Sequence, residues 1–212
     1  MIRKNNLLLL VVAFLFTTTL GFDIPTKRER VFEYSHPAAV RVNFTTPGII
    51  QYQKAVERLA YRRYIADKYS IIPEKYRTIV AEINEKQEMN LPPELIFYLI
   101  RYESGWNPNA TGYNYNGTHD MGLMQLNSRY ARMFAKAYYT GEQPFDPYDA
   151  KANLEVGLKH YRWLLEYYTG DYYKALQAYN AGRGSVDYNR VPVRTVHYAK
   201  YIIQHSNVQR II

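Results

Sequence analysis

Glu103 is the residue whose type and position could do chemistry. It closes an apolar run, Leu95-Ile96-Phe97-Tyr98-Leu99-Ile100, that reads as a helix from about Pro92 to Glu103. A carboxyl in such a place is partly dehydrated, and dehydration raises a glutamate above its usual pKa of about 4.3. A glutamic acid that keeps its proton near neutral pH can hand it to a leaving oxygen and later take a proton back. Gly105 and Asn107-Pro108 end the helix. The competing reading is an ordinary surface glutamate at a helix end, so the other motifs must decide.

Three further stretches bear on that choice. Gly122-Leu123-Met124-Gln125 follows a loop, Ala178-Tyr179-Asn180-Ala181-Gly182 closes a short helix, and Pro192, Thr195 and Tyr198 lie near the end of the chain. Together with Glu103-Ser104, and with Asp146-Pro147 and Asn153-Leu154 between them, they resemble the catalytic domain of bacterial lytic transglycosylases of the soluble (Slt) type, relatives of goose-type lysozyme. The resemblance spans roughly residues 72–205; residues 22–70 resemble nothing identifiable.

The resemblance implies an enzyme that cleaves the β-1,4 link between N-acetylmuramic acid and N-acetylglucosamine in peptidoglycan strands. Glu103 would protonate the glycosidic oxygen. Ionised, it would then accept the proton of the muramic 6-hydroxyl as that oxygen attacks C1, giving a 1,6-anhydro end without consuming water. The 2-acetamido oxygen can assist at C1.

The other matching residues would hold the sugar and tune the acid. Ser104 offers a hydroxyl to the glycan, or caps the helix. Gly122 leaves room for close backbone approach, and Gln125 presents an amide to acetamido or hydroxyl groups. Met124 offers an apolar floor, although a lone methionine is more often core. Tyr179 would hydrogen-bond or orient Glu103, Asn180 would contact a substrate amide, and Tyr198 would lie beneath the glutamate. Trp106, Tyr113 and Tyr115 could stack on sugars or simply pack; in a chain with 23 tyrosines they stay unassigned.

Two departures from the family pattern stand out. Arg194 stands where the family often has a glutamate before the threonine of the last motif. Thr118-His119-Asp120 replaces the commoner small residues before Gly122. A second carboxylate beside Glu103 could activate water and make the enzyme a lysozyme-like hydrolase. Alternatively, Asp120 is a local cap of the turn at Met121. A non-catalytic glycan-binding protein that kept the fold is the third reading.

The elements that must position these residues read as helices, and the fold class is all-α, lysozyme-like, with an N-terminal helical extension. Apolar spacing predicts helices over about 49–69, onward from Pro73, over 92–103, from Asn127 or Ser128 to Tyr138, over 150–168 capped by Asp149, over 172–181 and over 194–205. No stretch alternates with period two, and 105–120 and 140–148 read as loops. The predicted organisation is a signal peptide at 1–21, a partly helical extension at 22–70 and the catalytic domain at 71–212.

Composition excludes several classes of function. There is no cysteine, hence no disulfide, thiol nucleophile, thiolate metal site or lipid-modified cysteine. The histidines at 36, 119, 160, 197 and 205 lack metal-ligand spacing, and neither a metal nor a cofactor is expected. Arg3 and Lys4 before the apolar run Leu7 to Phe16, with Thr19-Leu20-Gly21 after it, read as an export signal cleaved after Gly21, or else kept as an anchor. A periplasmic or cell-envelope protein is expected. The net charge is +8, and residues 22–70 hold nine basic and five acidic residues. That excess favours weak association with a membrane or an anionic cell-wall polymer, while no motif points to nucleic acid.

Overall fold

The computed structural model of the protein describes residues 47–208, with side chains from residue 51. The export signal read at 1–21 and the stretch 22–46 lie outside the described residues. Among the described residues, no helix is long and apolar enough to cross a membrane.

The chain is mostly helical. The helices are α1 (Pro47–Lys68), α2 (Glu74–Lys86), α3 (Pro93–Ser104), α4 (Ala131–Tyr138), α5 (Ala150–Tyr167), α6 (Tyr172–Ala181), α7 (Arg183–Asp187) and α8 (Val193–Ser206). Prolines set three of the starts: Pro73, Pro92 and Pro192 precede α2, α3 and α8 with extended backbone, where a missing N–H costs nothing. Asp149 and Asp171 cap α5 and α6 by accepting from Ala152 N at 2.8 Å and Lys174 N at 3.0 Å.

The last turn of α1 is tied to α2. Ile65 and Tyr69 are buried, the Tyr69 hydroxyl donates to Glu85 at 2.7 Å, and Lys68 pairs with the same carboxylate at 2.5 Å.

The core forms around α3, α5, α6 and α8. Leu95, Ile96, Leu99 and Ile100 of α3 meet Leu154, Leu158 and Leu164 of α5, Ala175 and Leu176 of α6, and Ala199 and Ile202 of α8, all essentially without exposed surface. Each such leucine or isoleucine contributes roughly 1.5–3 kcal/mol by leaving water. That packing fixes the end of α3, and with it Glu103, against α8.

Where a loop was expected after α3, the chain makes a small antiparallel sheet of β1 (Thr111–Tyr113), β2 (His119–Met121) and β3 (Leu126–Asn127). Strands of three, three and two residues are too short to show an alternating pattern. Gly112 pairs with Asp120, Tyr113 with His119, and Asp120 with Asn127. The β1–β2 turn closes through Gly117 N to Asn114 O at 3.1 Å and Asn114 N to Thr118 O at 2.9 Å. Gly117 takes φ +76°, the left-handed residue that a three-residue hairpin of this kind requires.

Two other expectations change. Asn127 and Ser128 do not cap α4, which starts at Ala131 without a side-chain cap. Asn127 lies in β3, and the Ser128 hydroxyl accepts from His119 N at 3.1 Å. Gly182 ends α6 as expected, but the chain then enters a further short helix, α7, that the sequence reading did not include.

Candidate active site

Glu103 sits in the last turn of α3, which Gly105 ends in the left-handed conformation at φ +60°. Its Oε1 accepts from the Tyr198 hydroxyl of α8 at 2.5 Å. Burial pushes the Glu103 carboxyl up to about 7; the Tyr198 hydrogen bond pulls the other way, and the nearby charge of Asp120 adds to the rise. The result is a carboxyl near half protonation at neutral pH, the state in which one group can give and then take a proton. Burial also holds the Tyr198 hydroxyl well above its ordinary range, with the Glu103 charge and hydrogen bond adding, so it remains a donor.

Asp120 lies on β2 rather than in a capping turn. Its Oδ2 accepts from Asn114 Nδ2 at 2.9 Å and its Oδ1 from Asn127 Nδ2 at 2.7 Å. Two carboxyls therefore share the site in different surroundings, one desolvated and one held by amide donors.

The segment 121–125 forms a wall braced from α5. Asn153, fully buried on α5, holds it through three bonds: its Nδ2 donates to Met121 O at 2.9 Å and Pro147 O at 2.7 Å, and its Oδ1 accepts from Met124 N at 2.7 Å. Gly122 has φ +73°, and a Cβ there would stand 2.4 Å from both Asn153 Nδ2 and Pro147 O. The close approach at Gly122 is thus to the protein's own α5, not to an open face.

Met124 has no exposed surface and packs against Gly157, so its side chain is core and not a floor open to ligand. Its carbonyl accepts from the Tyr179 hydroxyl at 2.7 Å. Tyr179 therefore braces this wall instead of hydrogen-bonding Glu103, although the Glu103 charge helps to hold its hydroxyl protonated after burial. Gln125 adopts φ +47° and donates through Nε2 to Ala110 O at 3.2 Å and Gly122 O at 2.8 Å. Its carbonyl oxygen lies against Gly112 of β1, where a Cβ would stand 3.0 Å from it.

Ser104 is half-buried and donates back to Ile100 O at 3.3 Å, within its own helix. Asn180 is exposed at the end of α6 and accepts from the buried Thr195 hydroxyl at 2.6 Å, which leaves its amide nitrogen as the donor for a ligand. The structure therefore gathers Glu103, Tyr198 and Asp120, with Tyr179 behind the wall and Asn180 on a flanking helix end.

Trp106 is buried, its ring stacked on Tyr76 at 5.4 Å and beside Phe97 at 5.9 Å, so it packs and does not reach a ligand. The sequence marked Asn153 only as part of the family pattern, read Asn127 as a possible helix cap, and gave Asn114 no role. Among the described residues, no cluster of His, Cys, Asp or Glu could hold a metal ion.

A desolvated carboxyl at a helix end, facing a short sheet and backed by a tyrosine, is the arrangement of a lysozyme-like fold. Solved structures agree. The lytic transglycosylase Slt of Pseudomonas aeruginosa, as an inactive mutant, superposes with TM-score 0.53 at 19% identity, over 63% of this chain and 24% of that one. The 70 kDa soluble lytic transglycosylase of Escherichia coli gives 0.52 at 19% identity, over 73% and 26%.

The family model described as Transglycosylase SLT domain matches residues 81–202, and the chain belongs to that family. Among curated relatives, Invasion protein IagB of Salmonella typhimurium is 30% identical over 100 residues, 47% of this chain and 61% of IagB. Protein IpgF of Shigella flexneri is 28% identical over 96 residues, 45% of this chain and 61% of IpgF. The aligned stretches thus reach about three fifths of those relatives' length.

Proposed function

We propose that the protein is a peptidoglycan lytic transglycosylase. Glu103 protonates the glycosidic oxygen between N-acetylmuramic acid and N-acetylglucosamine, and the C1–O bond breaks. The muramic 6-hydroxyl then bonds to C1 and its proton passes to the Glu103 carboxylate. The acid is restored and the product carries a 1,6-anhydro end. The observation that carries this reading is the Glu103 carboxyl, raised to about 7 by burial and held through one oxygen by Tyr198. A single group poised there serves as acid and then as base at neutral pH. An export signal fits a substrate outside the inner membrane, and the site of action is the periplasm or cell envelope.

One observation favours a second reading. Asp120 is held by two amide donors beside the glutamate, and such a carboxylate can activate water or stabilise charge at C1, as in a lysozyme-like hydrolase. The ends left by cleavage separate the two.

Purified sacculi digested by the protein and analysed by mass spectrometry should yield 1,6-anhydro muropeptides. Reducing, hydrated muramic ends alone would overturn the transglycosylase reading and point to Asp120. In the hydrolase case Asp120→Asn would abolish release; in the transglycosylase case it leaves anhydro products. Glu103→Gln should lower the rate by more than about a hundredfold, the scale of an acid–base catalyst. No release even by the native protein would leave a glycan-binding protein, and an unchanged rate in the variant would remove Glu103 as the acid.

A further inference from the structure

The tip of the β1–β2 hairpin presents two tyrosines to solvent: Tyr113 is 87% exposed and Tyr115 fully so. We propose that these two rings form a sugar-stacking platform for the glycan strand, beyond the residues at the acid. The inference rests on the peptidoglycan reading and extends it to the chain's grip on polymeric substrate.

Three observations carry it. The first is rigidity. Asn116 Oδ1 accepts from Thr118 N at 3.1 Å and from the Thr118 hydroxyl at 2.7 Å, and with the two backbone bonds across the turn this fixes the tip. A held backbone, with only two side-chain torsions per tyrosine, leaves little freedom to lose on binding.

The second is continuity with the site. Tyr113 and Tyr115 flank Asn114, whose amide grips the Asp120 carboxylate at 2.9 Å. With 3.8 Å between neighbouring Cα atoms, the root of each ring lies within roughly 10 Å of that carboxylate. Tyr113 pairs with His119, so it stands on the opposite sheet face from Asp120.

The third is chemistry. No lysine or arginine stands between Arg101 and Arg129. The tip itself, Tyr113-Asn114-Tyr115-Asn116-Gly117, carries aromatic faces, amides and no charge. Such a surface suits a neutral polyol, whose pyranose rings offer an apolar face and a rim of hydroxyls, and gives nothing to a polyanion.

The test uses the full chain carrying Glu103→Gln, so that binding is read without cleavage, on purified sacculi. Tyr113→Ala with Tyr115→Ala should weaken binding roughly 5- to 20-fold, as expected when two ring contacts are lost. Tryptophan at both positions should restore it. The melting temperature should hold, because the rings are exposed.

Binding unaffected by the double alanine change overturns the platform, as does a tryptophan pair no better than alanine, or no binding to sacculi at all. The enzyme reading fails separately. A chain that binds through these tyrosines but whose native form releases no muropeptides keeps the platform and loses the catalysis. Release of anhydro products with binding indifferent to both tyrosines does the reverse.

Discussion

Glu103→Gln should stabilise the protein, and increasingly so as pH rises. The folded-state pKa of about 7 lies above the ordinary 4.5, so between those values the folded chain holds a proton that the unfolded chain has released. Stability then falls with rising pH through that window. Below about 4.5 the carboxyl is neutral in both states and the cost is absent; above about 7 it is present in full. At about 1.4 kcal/mol per pH unit the gap amounts to about 3 kcal/mol, an upper figure because Glu103 keeps some contact with water. Glutamine is isosteric and can still accept from Tyr198, so little else changes. For a chain of this size that is roughly 6–12 °C in melting temperature. Calorimetry of both proteins from about pH 4.5 to about pH 9 should show melting points that coincide at the acid end and separate through neutrality, the variant higher. A constant difference across the range, or a wild type that is the more stable at high pH, would refute the desolvated carboxyl and the acid chemistry with it. The experiment needs no substrate.

Three more changes follow from the geometry. Tyr198→Phe removes the hydrogen bond that favours the ionised glutamate, so the loss of sacculus-cleaving activity on the alkaline side should move to higher pH, while the rate at neutrality falls roughly tenfold as the carboxyl loses its fixed orientation. Gly122→Ala places a methyl 2.4 Å from two polar atoms at a positive φ and should cost at least about 2 kcal/mol in denaturant unfolding. Asn153→Ala leaves Met121 O, Pro147 O and Met124 N without their partner and should cost about 3 kcal/mol, together with most of the activity although Asn153 touches no ligand.

Helix α3 and its terminal glutamate were legible because burial of one helix face writes itself into sequence as a period, and because Gly105 and the prolines punctuate it. The sheet was not legible. Its strands are two or three residues long, and what holds them is side-chain amides from 114, 116 and 127, which propensity does not weigh. The motif around 122–125 was legible as important but not in its manner of acting. Gly122, Met124 and Gln125 read as residues that meet a sugar, yet Gly122 is small because Asn153 and Pro147 press on it, Met124 is core, and the Gln125 nitrogen donates to two carbonyls of its own chain. A segment that must run beside an acid with positive φ at Gly122 and at Gln125 needs particular residues merely to keep its shape. Shape and contact therefore place the same demand on sequence, and only the direction in which a side chain's polar atoms are already engaged separates them. By that criterion the candidates to meet a ligand reduce to the second oxygen of the Glu103 carboxyl and the Asn180 amide nitrogen, a smaller set than the motifs themselves.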